Sequence, residues 1–214
     1  LVRSRGLGDV YKRQIIYNGI AEKKQFKFEG IKEGKINILF AGRIVEQKGI
    51  SVLSAVINKL NTHINTFYFH IVGEGHLKED LVKELGFFEN VHFYGNVYNL
   101  AQYLHSFDFL FMPSVHEGLS MLSIESSFAK LPVIINSCEG LVDTVPNAWP
   151  LKVKDNNVDD FVEVFNNIKN LDRKVLAESA YQFVSDRFGI EQMQNQYIEY
   201  YKICLLYTSD AADD

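Results

Sequence analysis

Cysteine is scarce in this 214-residue chain, with Cys138 and Cys204 the only two. Two thiols cannot build a disulfide framework or a cysteine-rich zinc site, so a reducing, cytoplasmic setting is the expectation. Basic excess is missing as well: 22 Lys and Arg face 27 Asp and Glu, for a formal charge of -5 and a pI near 5.7. That balance withholds the electrostatic footprint of a general nucleic-acid binder, so any polyanion must be held by a few local cations. Long apolar runs are absent. The densest, Phe107 to Pro113, falls far short of the ~18 residues that a bilayer-spanning helix needs, and no segment reads as a secretory signal. No Asp-x-Asp occurs, and the six histidines show no paired spacing with cysteines or acids, so a metal clamp is not indicated. The phosphate loop Gly-x4-Gly-Lys-Ser/Thr is lacking too. Gly73-x-Gly75 resembles the start of a dinucleotide fingerprint, but Lys78 stands where the third glycine belongs and no acid closes a second strand about 20 residues on, so nicotinamide binding is not expected.

What is present fits an ordinary globular chain, with 47% hydrophobic and 23% charged residues. Residues 1–14 carry Arg3, Arg5, Lys12 and Arg13 with no helical or strand period, and 205–214 end in Ser-Asp-Ala-Ala-Asp-Asp. Both read as non-native extensions, which leaves one domain over 15–204. Within it, apolar and β-branched runs at Ile36–Ala41, Thr66–Val72, Val91–Tyr94, Phe107–Met112 and Val133–Asn136 predict five buried strands. Phe67, Tyr68 and Phe69 belong to the second of these and are expected to serve core packing rather than base stacking. Three-four spacing of Leu53, Val56, Ile57 and Leu60, and of Leu77, Leu81 and Leu85, predicts helices between strands. After Trp149, Val158, Phe161, Val162, Phe165 and Ile168 predict one further helix, and Ile190, Met193, Tyr197 and Tyr200 another. Strand, crossover helix, strand is the grammar of an α/β fold: a Rossmann-like parallel sheet flanked by helices, which binds ligands beyond the carboxyl ends of its strands.

Two loops after strands carry chemistry. The first reads Gly42-Arg43-Ile44-Val45-Glu46-Gln47-Lys48-Gly49. Gly42 allows close backbone approach, and Arg43 with Lys48 can offset the two negative charges of a nucleotide diphosphate, although a solvated turn would use the same residues. The second runs from Pro113-Ser114-Val115-His116-Glu117-Gly118 through Leu119, Ser120, Met121, Leu122, Ser123 and Ile124 to Glu125. A helix starting near Ser120 leaves free backbone N–H groups at its N-terminus, an anion site that needs no side-chain charge. Glu117 in the loop and Glu125 about a turn into the helix can face one cleft and accept hydrogen bonds from sugar hydroxyls; a loop charge and a dipole-favoured helical acid are the plainer reading. His116 is expected to be a loop histidine without a catalytic part.

Glu117 through Glu125 matches the E-x7-E motif of retaining family-4 glycosyltransferases, set as usual between Pro113-Ser114-x-x-Glu117-Gly118-Leu119 and Pro132-Val133-Ile134. Gly42-Arg43 with Lys48-Gly49, Gly73-Glu74-Gly75 and Val91-x-Phe93-x-Gly95 match the other marks in order. The chain therefore resembles the C-terminal, nucleotide-sugar-binding half of a GT-B fold, with Tyr17-Asn18-Gly19-Ile20 similar to the interdomain linker.

The resemblance implies that Arg43 and Lys48 clasp the diphosphate, that Glu125 bonds the ribose hydroxyls, and that Glu117 bonds a hydroxyl of the transferred sugar near its reacting carbon. It places the distal phosphate on amides of Gly118 to Leu122 (Leu119, Ser120 and Met121 between them) and the base near Gly95, Asn96 and Val97, with Gly42 beside the donor. It further implies metal-independent transfer with retention, and no cofactor besides the nucleotide diphosphate sugar that serves as donor. The acceptor is expected to be a polysaccharide or glycolipid, held by an N-terminal acceptor domain missing from this sequence. Peripheral association with the inner membrane would run through that domain, and Tyr197, Tyr200 and Tyr201 would face it. Two departures stand out. Glu139-Gly140-Leu141-Val142-Asp143 replaces a Gly-Gly-x-x-Glu element, and Ser120 and Met121 replace glycine, proline or a larger apolar residue, which alters the sugar pocket. A nucleotide-sugar epimerase of the same fold and a noncatalytic nucleotide-binding module remain as alternatives.

Overall fold

The computed structural model describes residues 16–21, 23–61 and 66–210. The expected extension over 1–14, and 211–214 of the one at the other end, lie outside the described residues. The chain forms two compact units, the larger over Glu22–Ser185 and the smaller joining residues up to Ala21 with those from Asp186 onward.

The larger unit is built on six strands: β1 (Ile36–Ala41), β2 (Phe67–Val72), β3 (Val91–Gly95), β4 (Phe109–Met112), β5 (Val133–Asn136) and β6 (Lys152–Val153). All pair in parallel in the order β3-β2-β1-β4-β5-β6. Five strands stand where the apolar runs predict them, and the two-residue β6 is an addition. Helices α1 (Ile50–Asn61), α2 (Lys78–Leu85), α3 (Met121–Phe128) and α4 (Val158–Asn167) follow in chain order, and α5 (Arg173–Phe188) closes the unit with most of its length.

Alternation along β2 shows how both faces are filled. Phe67 and Phe69 point to the face covered by α4, where Phe165 packs at 5.4 Å and 6.2 Å from their rings and Phe111 of β4 joins at 5.2 Å. His70 points to the other face, with Phe28 at 6.0 Å and Phe107 at 5.1 Å. Leu53, Val56, Ile57 and Leu60 of α1 are buried, as their spacing predicts, and each such side chain contributes about 2 kcal/mol of transfer free energy. Asn157 caps α4, its side chain accepting from the amides of Asp159 and Asp160.

His70 shares no surface with water. Its Nε2 lies 2.9 Å from Asn37 Oδ1, an oxygen that also accepts from the Lys32 amide, so Nε2 carries the proton and Nδ1 accepts from Tyr94 Oη at 3.1 Å. Burial, with a smaller contribution from His92, pushes the imidazole down to about 4, and burial pushes the Tyr94 phenol up to about 12.

In the smaller unit, Ile20 bridges in parallel to Gly189 and Tyr17 meets Phe188 edge-on at 5.2 Å. Helix α6 (Ile190–Asp210) runs on through residues 205–210. Tyr197 and Tyr201 are exposed on it, their rings 6.4 Å apart and nearly parallel.

Candidate functional site

Strand order places the site. From β1 the chain proceeds outward to β2 and β3, and from β4 it proceeds the opposite way to β5 and β6, so the crevice between the carboxyl ends of β1 and β4 is the topological switch point. Leu39 pairs with Leu110, so the loops starting at Gly42 and Pro113 leave the sheet side by side. They lock together. The Val115 amide donates to the Gln47 carbonyl at 2.9 Å, and Gln47 Nε2 donates to the His116 carbonyl at 3.1 Å. Gly49, at φ +69°, lies so close to the Pro113 carbonyl that a Cβ would fall 1.8 Å from its oxygen.

The lock brings Lys48 to Glu117. Lys48 Nζ donates to Glu117 Oε1 at 2.5 Å, and Ser114 Oγ donates to the same oxygen at 2.8 Å. The Lys48 methylenes pass over Gly42, the nearest 3.7 Å from where a Cβ would stand. Arg43 is exposed, and among the described residues its guanidinium has no hydrogen-bond or ion-pair partner. Cys138, at the end of β5, lies near the same carboxylate: burial first, and the Glu117 charge second, push its thiol up.

Ser120 is the N-cap of α3, its Oγ accepting from the Ser123 amide at 3.4 Å, and the first intrahelical bond runs from the Ile124 amide to the Ser120 carbonyl. The Ser120 amide itself donates to the Gly140 carbonyl. Met121 and Leu122 therefore carry the first helical N–H groups without an intrahelical acceptor. Gly118 is exposed and has open space where a side chain would be, and Leu119 is half-buried beside it. Gly140, at φ +80°, backs the loop so tightly that a Cβ would fall 1.6 Å from the Gly118 oxygen. Glu125 is half-buried on α3 and pairs with Lys23 Nζ at 2.6 Å.

The structure thus gathers Gly42, Lys48 and Glu117 with the Gly118–Leu122 turn. Asn96, exposed, and Val97, half-buried, stand at the end of β3, two strands from β1. Asp143 is exposed in a 3-10 turn, and the His116 side chain is exposed. The Gly73-x-Gly75 glycines serve packing: a Cβ on Gly73 would fall 1.9 Å from the Gly42 oxygen, and one on Gly75 2.2 Å from the Ile44 oxygen. Among the described residues, no group of three or more His, Cys, Asp and Glu is placed to hold a metal ion.

The family model of glycosyl transferases group 1 matches residues 21–183, nearly the whole larger unit. The chain belongs to the group 1 glycosyl transferases. Among relatives of this chain, an uncharacterised 41.2 kDa protein in the cps region of Klebsiella pneumoniae is 29% identical over 202 residues, 89% of this chain and 55% of that protein. The O-antigen biosynthesis glycosyltransferase WbnH of Escherichia coli is 31% identical over 144 residues, 58% of this chain and 41% of WbnH. The chain therefore spans about half the length of these relatives. The fold is shared with HepE of Anabaena, solved in complex with UDP-glucose, at a TM-score of 0.67 and 17% identity over 78% of this chain and 49% of HepE. Over that matched half it is the Rossmann-like parallel sheet, flanked by helices, of a GT-B fold. No described helix is long and apolar enough to cross a membrane.

Sequence reasoning missed four supports of the site: Ser114 on Glu117, Lys23 on Glu125, Gln47 as the bolt between loops, and Cys138. Ser114 lies inside a recognised motif, so a signal was there. The others depend on approaches between residues far apart in the chain.

Proposed function

We propose that this chain is the donor-binding domain of a retaining, metal-independent family-4 glycosyltransferase. It holds a nucleotide diphosphate sugar for transfer to a polysaccharide or glycolipid acceptor that an N-terminal domain presents. The observation that carries the reading is the convergence of Lys48, Glu117 and the free amides of α3 on the crevice between β1 and β4. An O-antigen glycosyltransferase among the relatives and a UDP-glucose complex among the structural neighbours support the same class of donor and product.

The chemistry follows from charge. As the bond from sugar to diphosphate breaks, negative charge grows on the leaving phosphate and oxocarbenium character on the sugar, so fixed positive groups belong beside the phosphate. Lys48, Arg43 and the amides of Met121 and Leu122 are such groups, and they do the work a metal would otherwise do. Glu117 grips a hydroxyl of the sugar, and Glu125 the ribose. Asn96 and Val97 meet the base, and Gly42, Gly118, Leu119 and Ser120 shape the cradle. With retention, the departing phosphate receives the acceptor's proton on the face it leaves. Thermal-shift measurements on this chain with UDP, GDP and ADP, each with and without EDTA, test the binding. One diphosphate should raise Tm in proportion to the logarithm of its excess over Kd, equally with the chelator present. No shift with any of them defeats the reading. Transfer by this chain alone should be negligible, because proximity of both substrates supplies much of the barrier reduction.

A further inference from the structure

A carboxylate has two oxygens, and the surroundings of Glu117 treat them differently. Lys48 Nζ and Ser114 Oγ both donate to Oε1, at 2.5 Å and 2.8 Å, whereas among the described residues no donor reaches Oε2. Glu117 is 9% exposed and Ser114 only 2%. Ser114 is itself held on its backbone. Asn136, buried at the end of β5, donates from Nδ2 to the Ser114 carbonyl at 2.8 Å. Asn136 Oδ1 accepts from the Asn156 amide at 2.9 Å, and Asn156 Nδ2 donates to the Pro113 carbonyl at 2.9 Å. Two asparagines thus pin consecutive carbonyls of the loop that carries Ser114, and a serine hydroxyl passes that rigidity to one carboxylate oxygen.

The lysine and the serine differ in what they can do once a donor is bound. A diphosphate draws the Lys48 ammonium toward itself, and an ammonium on a four-carbon stem can follow. The Ser114 hydroxyl, on a short buried side chain with a pinned backbone, cannot. We propose that Ser114, braced by Asn136, is the positioning residue that holds Oε1 of Glu117 so that Oε2 alone is presented to a hydroxyl of the transferred sugar. Ser114 acts through Glu117 and touches neither sugar nor phosphate. This rests on the donor-binding reading above and adds to it the element that distinguishes a nucleotide diphosphate sugar from the bare nucleotide diphosphate.

The readout is a ratio. Calorimetry on the full chain measures Kd for UDP and for UDP-glucose, UDP-galactose and UDP-N-acetylglucosamine, and for GDP and GDP-mannose. The preference is the Kd of the diphosphate divided by that of its best sugar ester. Ser114→Ala should lower the preference about fivefold, the value of one lost hydrogen bond, while leaving diphosphate affinity within twofold of wild type. Unchanged diphosphate binding also shows that the variant is folded. In a Glu117→Ala background, which leaves the serine no oxygen to hold, Ser114→Ala should change the preference by less than twofold, because the two act as one unit. An unchanged preference in Ser114→Ala overturns the proposal, as does an effect of full size in the Glu117→Ala background. Loss of diphosphate binding in Ser114→Ala also overturns it, since the serine would then support the whole loop. A wild type that binds a diphosphate but gains nothing from any sugar overturns it and leaves the donor-domain reading standing. A wild type that binds none of these probes removes both.

Discussion

Lys48 and Glu117 lie 69 residues apart in the chain, yet the ammonium stands 2.5 Å from Oε1 of the carboxylate. Their side chains are 18% and 10% exposed, so each charge has given up much of its water. Removing one partner therefore costs more than the pair is worth, since the other is left enclosed and uncompensated. Lys48→Met should lower unfolding stability by on the order of 2 kcal/mol in denaturant titrations at unchanged m, and weaken UDP binding roughly tenfold. Glu117→Gln should act oppositely on the nucleotide. The amide can still accept from Ser114 and releases the ammonium, so UDP binding stays equal or tightens. Weaker UDP binding in that variant would take Lys48 away from the diphosphate.

Glu125 is paired as well, but in a different setting. Lys23 is 48% exposed and Glu125 23%, and an ion pair so open to solvent is worth ~0–1 kcal/mol. Lys23→Ala should shift stability by less than ~0.5 kcal/mol and leave UDP binding equal or a few-fold tighter, because a competitor for the carboxylate is gone. Glu125→Ala should weaken UDP binding about tenfold, the worth of charged hydrogen bonds to ribose hydroxyls. Pyrophosphate, which has no ribose, should bind both proteins alike. Equal losses for UDP and pyrophosphate would place Glu125 elsewhere than on the sugar ring.

Legibility in the sequence followed the size of the buried side chains. The five longer strands and α1, α2 and α4 stand out because large apolar residues repeat at the right period, as with Phe161, Phe165 and Ile168. Helix α5 did not, since its buried positions begin with Ala177 and Ala180 before Val184 and Phe188, and alanines make a faint stripe. Strand β6 has two residues and no period at all. On α3, Ser123, Ser126 and Ser127 are buried where apolar residues would be looked for, and Ser123 meets Thr144 at 2.7 Å. At the candidate site, Gly42, Lys48, Gly118 and both acids were readable as types at a spacing. Their partners were not, because the contacts of Lys48 with Glu117 and of Lys23 with Glu125 are made by the fold.

His70 gives the larger unit a pH dependence of known sign. The folded imidazole titrates at about 4 against an ordinary value near 6.5, so between these the unfolded chain binds the proton that the folded one refuses. Stability is full above pH 6.5 and falls as pH drops toward 4, by about 3 kcal/mol over the whole window for this one group. Thermal melts from pH 7 to pH 4.5 should show that slope. His70→Gln, which can still donate to Asn37 and accept from Tyr94, should flatten it even if the variant is less stable at pH 7. A slope unchanged in His70→Gln would assign the pH dependence to other groups.

Gly118 and Gly140 separate the needs of the fold from those of the ligand. At Gly140 the backbone sits at φ +80° and a Cβ would fall 1.6 Å from the Gly118 oxygen, so Gly140→Ala adds the left-handed penalty of ~1–2 kcal/mol to a clash that only loop movement relieves. A stability loss of at least ~2 kcal/mol is expected, with UDP binding lost because the Gly118–Leu122 turn moves. At Gly118 a Cβ meets nothing within 4 Å and φ is not left-handed, so Gly118→Val should fold with Tm close to wild type. Its side chain would stand in the space assigned to the donor, beside the amides of Met121 and Leu122. UDP binding should fall at least tenfold while the melting curve stays put, a split that a purely structural glycine cannot produce. Gly118→Val binding UDP like wild type would show that the open space at Gly118 faces solvent rather than donor, and the phosphate cradle would have to be sought away from the α3 N-terminus.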